Sequence, residues 1–130
     1  MAQKICYCGR KKPPAKCCER FLSGRELPKT VEQLMRSRYS AYALGGRGRY
    51  LLDTWFPPTA VGLNEESLSS PGPEWLELKV HRSSQDNDKG TVEFSARYKT
   101  AAGAEEIQHE KSVFQRLAGR WYYVGGEVSK

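Results

Sequence analysis

Every cysteine of the 130-residue chain falls within residues 6–18, "CYCGRKKPPAKCC". The spacing C-x-C-x8-C-C, carried by Cys6, Cys8, Cys17 and Cys18, allows two kinds of chemistry. As disulfides, Cys6–Cys8 and Cys17–Cys18 would close strained, very short loops. Only the two crossed pairings remain, and those suit a secreted chain. As metal ligands, four thiolates at about 2.3 Å from one ion make a closed tetrahedral centre. Gly9 permits a tight turn that aims backbone N–H groups at the sulfurs. Pro13-Pro14 stiffens the stretch between the two cysteine pairs, which lowers the entropy of bringing them together. Adjacent lysines and arginines lower the thiol pKa values and help a metal load near neutrality. The residues therefore favour a structural metal, zinc, with iron the alternative because it also accepts thiolates. A segment this small has no core of its own, so metal binding supplies its folding free energy, on the order of 10 kcal/mol or more.

Acid–base candidates are fewer. His109 and Glu110 are adjacent on an expected strand, so their side chains point to opposite faces and form no dyad without a bulge. Either one can face a cavity, and His109 titrates near neutrality, which makes it a candidate general base. The competing reading is a cross-strand polar residue. Asp53, within "YLLDTWF", is a candidate buried base or, more simply, a partner of Arg36 or Arg38. Tyr39 is the third catalytic candidate. Arg36 and Arg38 are two residues apart and share no helix face; Arg38 is the better candidate for a buried ion pair. Arg38, Tyr39, Tyr42, Trp55, His109 and Trp121 are the expected pocket residues, with core packing the competing reading for the aromatics. His81 is expected to be solvated. The chain has no phosphate loop, nucleophile elbow or catalytic zinc signature, and four cysteines leave no open coordination position for hydrolysis.

The charge is unevenly spread. Residues 1–29 hold eight Lys/Arg and two acidic residues, which accounts for the whole net charge of +6. The rest of the chain is electrically balanced. Such asymmetry implies two functional parts, a basic metal segment over residues 1–27 and a globular domain over 28–130. Arg10, Lys11, Lys12 and Lys16 are the expected partner-binding residues. The N-terminus shows no hydrophobic signal region, and no apolar run approaches the roughly 20 residues of a membrane helix. The expectation is a cytoplasmic protein without a membrane contact.

The elements that must position these residues can be read from period and punctuation. "ELPKTVEQLMRSRYSAYALGG" predicts a helix that starts at a Thr30 cap, with Gln33 closing a capping box, and ends at Gly45-Gly46. Val31, Leu34, Met35, Tyr39, Tyr42 and Ala43 share a face. A short helix follows in "RYLLDTWF", ended by Pro57-Pro58, and one helical turn is expected after Asn64. Beyond Pro73 the period changes to two: "WLELKVHR", "TVEFSARY", "EIQHEKSVFQRL" and "WYYVGGEV" predict four strands, with "QDNDKG", "AAGA" and "AGR" as turns. The third strand slips phase between Ile107 and Val113-Phe114, which predicts a bulge there. Short connections imply an antiparallel meander, and helices followed by strands imply an α+β fold with the helices on one face of the sheet.

Two resemblances add to this reading. The cysteine spacing, the C-x-C-G start and the closing "KCC" resemble the SEC-C motif, the zinc-binding tail of the SecA translocase. That tail contacts a chaperone and the ribosome, so the resemblance implies a protein or ribonucleoprotein partner. "LMRSRYSAYALG", "YLLDTW", "GTVEFSARY", "HEKSVF" and "GRWYYVGG" resemble the YchJ-like family of small bacterial proteins, from Cys6 to about Gly126. That resemblance implies a cystatin-like, nuclear-transport-factor-2-like domain behind the metal segment, shaped as a cone that can hold a small ligand. Family members often carry His after the Trp of "TW", where this chain has Phe56, so no role of that histidine transfers. The leading expectation is a noncatalytic binding protein. The alternatives are an enzyme acting on a small organic molecule in the cone, and direct RNA or DNA binding by the basic metal segment.

Overall fold

The computed structural model describes residues 6–10, 12–70 and 72–129. Four helices precede four strands: α1 Glu19–Leu22, α2 Val31–Leu44, α3 Gly48–Asp53, α4 Glu65–Ser69, then β1 Glu74–Asp86, β2 Lys89–Lys99, β3 Glu105–Leu117 and β4 Arg120–Ser129. The strands form one antiparallel sheet in the order β1-β2-β3-β4, the expected α+β meander. Among the described residues, no helix is long and apolar enough to cross a membrane.

Helix α2 begins where its cap demands. Thr30 Oγ1 accepts from the Gln33 amide at 3.1 Å, which satisfies an N–H with no partner inside the helix. The return bond differs from a standard capping box: Gln33 Oε1 accepts from the Lys29 amide at 2.8 Å. A third donor, the Val31 amide, reaches Gln85 Oε1 of β1 at 2.8 Å. The helix start is thus bonded to the sheet. Gly90 in β2 lies directly beneath it, and a Cβ there would stand 2.6 Å from Val31 Cγ1. Gly45 ends the helix at φ 74°, with its amide bonded to Ala41 O.

Three details correct the sequence expectation. The first hairpin turns on two residues only, Asn87 and Asp88, with Asn87 at φ 56°. Asn tolerates that left-handed conformation, so Gln85 and Gly90 stay in the ladder. Arg116 locks the turn by donating to Asp88 Oδ1 at 3.0 Å and Asn87 O at 2.9 Å. Second, β3 has no break against β2: the register is continuous from Lys89↔Gln115 to Lys99↔Glu105. The register shift falls instead on β4, where Val113 faces Gly125 and Phe114 faces Tyr123, leaving Val124 as the extra residue. Third, Ile107 and Val113 face outward and are 57% and 43% exposed. The inner row of β3 is Gln108, Glu110, Ser112 and Phe114.

The core lies between α2 and the sheet. Leu34, Met35 and Tyr39 of α2 pack with Leu78, Phe94 and Phe114. The four cysteines belong to the same buried cluster. After α3 the chain pairs with β4: Phe56 N–H donates to Tyr123 O at 2.7 Å and Tyr123 N–H to Thr54 O at 2.8 Å. That pairing accompanies the contact of the end of α3 with Arg38 of α2.

Candidate metal centre and buried cavity

The metal segment is built from two turns. Gly9, at φ 91°, lets its amide return to Cys6 O at 3.1 Å, and Cys6 N–H donates to Lys12 O at 2.8 Å. A 3-10 turn at Pro14–Lys16 returns the Cys17 amide to Pro14 O at 3.0 Å. Cys18 caps α1, its carbonyl accepting from the Phe21 and Leu22 amides. The result brings all four sulfurs within 4.8 Å of one another. Cys8 Sγ and Cys17 Sγ are 3.5 Å apart. A tetrahedral ion with bonds of about 2.3 Å needs sulfurs about 3.8 Å apart, so the cluster fits a four-thiolate metal centre. The thiols are free and between 0% and 4% exposed. Hydrogen bonds from Cys18 and Cys8 hold the Cys6 thiol far below the ordinary thiol range. Burial, reinforced by the Cys8 contact, pushes Cys17 up to about 12. The bond to Cys6, then that to Cys8, drives Cys18 up. So tight a quartet cannot ionise together without a cation at its centre.

An ionic seam joins this centre to α2. Glu32 lies between Arg10 at 3.1 Å and Arg36 at 2.9 Å. Although burial opposes it, the two guanidiniums hold the Glu32 carboxyl below its ordinary range. Arg36 also donates to Cys8 O at 2.7 Å, an outer contact that fixes a ligand loop. On the far side, Cys6 Sγ is 3.8 Å from Ser40 Oγ. Of the expected partner-binding residues, Arg10 is therefore turned partly inward, Lys12 and Lys16 are exposed, and Lys11 lies outside the described residues.

Beneath α2 lies a second site, a cavity of about 180 Å³. Its walls are aromatic and apolar, among them Tyr39, Tyr42, Trp75, Phe94 and Phe114. Its charged groups come from two elements. From α2, Arg38 is 4% exposed. Its Nη1 donates to Leu51 O at 2.8 Å and to Thr54 Oγ1 at 2.6 Å. The guanidinium carbon lies 4.8 Å from the Trp55 ring and 4.6 Å from the Tyr123 ring, a double cation–π contact. Burial pulls the Arg38 pKa down. From β3, Glu110 is 8% exposed. Its Oε2 accepts from Ser112 Oγ and, at 3.1 Å, from the Tyr123 hydroxyl. Burial, then the Glu110 charge, pushes the Tyr123 phenol above its ordinary range, and burial pushes Tyr39 up to about 12. A buried cation and a buried carboxylate thus share one cavity, where charge–charge effects are stronger than in water.

Arg38, Tyr39 and Tyr42 line the cavity. The other sequence candidates lie elsewhere. His109 is on the opposite sheet face: Nδ1 is 3.2 Å from Ser95 Oγ, Nε2 is 2.8 Å from Glu93 Oε2, and the ring stacks on His81. Alternation along an unbroken β3 sends Glu110 inward and His109 out. Asp53 is an exposed partner of Arg49 at 3.5 Å, not of Arg36 or Arg38. Trp55 backs Arg38 from outside the cavity lining, and Trp121 is core, 2% exposed, with Nε1 buried and unpartnered among the described residues. Sequence reasoning left open which of His109 and Glu110 faces the cavity, did not single out Tyr123 among the aromatics, and missed Ser112 and Gln108. Counting back by twos from Phe114 places Ser112, Glu110 and Gln108 on one face, a signal hidden because that row is polar.

Comparison with known proteins agrees with both parts. Residues 30–126 match the family model described as the YchJ middle NTF2-like domain. A UPF0225 protein of Chromobacterium violaceum is 44% identical over 135 residues, covering 98% of this chain and 96% of its own. The UPF0225 protein RSc0270 of Ralstonia nicotianae is 44% identical over 124 residues, covering 88% of this chain and 85% of its own. The solution structure of RPA3114, a SEC-C motif containing protein from Rhodopseudomonas palustris, superposes with a TM-score of 0.89 at 36% identity, over 98% of this chain and 100% of that one. The four-cysteine cluster, the α+β architecture and these matches lead to one conclusion: the chain belongs to the UPF0225 family of YchJ-like proteins, which joins a SEC-C motif to an NTF2-like domain.

Proposed function

We propose that the chain is a zinc-stapled binding protein whose cavity receives a small organic ligand. The observation that carries this reading is the cavity itself. A pocket next to Arg38, Glu110 and Tyr123 stays open where a purely structural core would close over it. Aromatic walls with a few convergent polar groups are the usual make-up of a ligand site. Zinc suits the centre beside it: the four buried thiolates saturate a tetrahedral ion and leave no position for substrate, so the metal holds structure. Cys6, Cys8, Cys17 and Cys18 would hold that zinc. Two measurements test this. Elemental analysis of the purified protein should find one zinc per chain; a visible thiolate–iron absorption band instead would exclude zinc. Titration with small amphiphilic molecules should change the fluorescence of Trp75, which lines the cavity. No response, together with unchanged melting, would exclude the receptor reading.

A second reading concerns the metal segment, and a specific observation favours it. Arg10, Arg20 and Arg36 are engaged with Glu32 and Glu26, whereas Lys12 and Lys16 are exposed. Neither lysine has an ion-pair partner among the described residues. These lysines would face an acidic protein or ribonucleoprotein partner such as the ribosome or a translocation chaperone. Cosedimentation with ribosomes should fall steeply with salt and be lost in the double variant K12E/K16E. Equal cosedimentation by that variant would reject this surface.

A further inference from the structure

Arg38 poses a problem that the protein alone leaves unsolved. A buried guanidinium is normally paired with a carboxylate. Here, among the described residues, no carboxylate oxygen lies within 4.0 Å of it, and its hydrogen bonds are all made by Nη1. Nε and Nη2 are left without protein partners in a residue that lines the cavity. That edge is the planar fork that matches a carboxylate. Glu110 poses the mirror problem. Both of its hydrogen bonds fall on Oε2, which leaves Oε1 without a donor among the described residues. The cavity therefore presents a cation held between aromatic faces but with no ion-pair partner, and a carboxylate with one oxygen open to the cavity.

Resting on the receptor reading above, we propose that the ligand is a small zwitterion, an apolar amino acid, with its carboxylate on Arg38 and its ammonium toward Glu110. A simple acid would satisfy Arg38 but add a second negative charge beside Glu110. A simple amine would satisfy Glu110 and leave Arg38 uncompensated. Only a ligand with both charges gives both groups an ion-pair partner, and such pairs count for more where water is partly excluded. The ammonium gains further from the electron-rich faces of Tyr42 and Trp75. The apolar side chain goes against Met35, Phe94 and Phe114, which line the same space. The volume, about 180 Å³, suits a single small molecule. Gly126 belongs to the same device: a Cβ there would stand 2.6 Å from Glu110 Oε2, so the glycine makes room for the carboxylate.

The test is calorimetric titration of the intact, metal-loaded protein with four molecules of one shape: L-leucine, 4-methylpentanoate, 3-methylbutylamine and 4-methylpentan-1-ol. L-leucine is expected to bind about thirtyfold more tightly than either single-charge analogue, since removing one member of a buried charge pair costs this much or more. E110Q keeps the shape and the Ser112 and Tyr123 contacts, and should reduce L-leucine to the affinity of 4-methylpentanoate. R38Q should reduce L-leucine to the affinity of 3-methylbutylamine. If the acid or the amine binds as tightly as L-leucine, or only the alcohol binds, the zwitterion assignment is overturned while the receptor reading stands. If none of the four binds, both fall.

Discussion

Glu110 lies flat against β4 because the position beside it has no side chain. Gly126 pairs with Ser112 in the ladder, and the carboxylate occupies the space that a methyl group would take. Gly126→Ala should therefore swing Glu110 away from Tyr123 and into the cavity. The expected cost in stability is about 1–3 kcal/mol from overpacking, with a larger proportional loss in ligand titration. Unchanged binding would show that the Glu110 position is immaterial. At this scale the sequence was legible where chemistry needs rare residues at fixed spacing. The four cysteines could be read without any knowledge of the fold. Glu110 could not, since a lone glutamate on an alternating strand has the same appearance whether it faces water or a cavity. His109 drew attention by its side-chain type, yet it ends in a polar network on the outer face with Ser95 and Glu93.

Helix α2 is the element on which both sites depend. One side holds the metal segment through Glu32, Arg36 and Ser40, and another turns Arg38 and Tyr39 into the cavity. Its start is secured by the Thr30 cap, so Thr30→Ala should cost about 1 kcal/mol by chemical denaturation. Leu34, 0% exposed, is in the shared core; Leu34→Ala should cost about 2–5 kcal/mol. A cap variant as costly as the core variant would mean that the cap bond does more than close one turn. The extent of the helix was legible because cap, apolar period and terminal glycine all agree on it. The strand assignments were legible in number but not in phase. β3 misled because Ile107 and Val113 are on the exposed face while its inner row is polar until Phe114. Apolar alternation marks the buried face only when that face is apolar, and a strand lining a polar cavity breaks the rule.

For the whole molecule, the metal segment is part of the core rather than an appendage. The cysteines share one buried cluster with Val31, Leu34, Tyr39 and Leu78, so stripping the metal should destabilise the domain as well as the segment. Treatment with a strong chelator under reducing conditions should lower Tm by tens of degrees, since about 10 kcal/mol of metal binding corresponds to roughly 4 °C per kcal/mol in a chain of this length. A melting curve unmoved by complete metal removal would show that the centre is independent of the fold. A second global prediction follows from the buried phenols. Tyr39 and Tyr50 are pushed by burial from 10 up to about 12. The fold therefore favours the neutral phenol, and its contribution is fully present below pH 10. Between pH 10 and 12 the unfolded chain loses these protons while the folded one keeps them, so stability falls as pH rises through that window. Melting followed from pH 9 to 12 should show the decline, with a smaller slope in Tyr50→Phe. A slope identical in that variant would remove Tyr50 from the account.

From residue types, spacing and period alone came the clustered thiols, the uneven charge, the cap and length of α2, and the helix-then-meander order. All of these are local properties, set by bonds and side chains within a few residues of one another. Tertiary structure alone decided that Arg38 would be buried with no carboxylate beside it. It also decided that Glu110 rather than His109 would face the cavity, and that the cysteines would join the core. Those outcomes depend on which face of one element meets which face of another. Strand register and helix packing fix that relation between residues distant in sequence, and no short stretch of the chain encodes it.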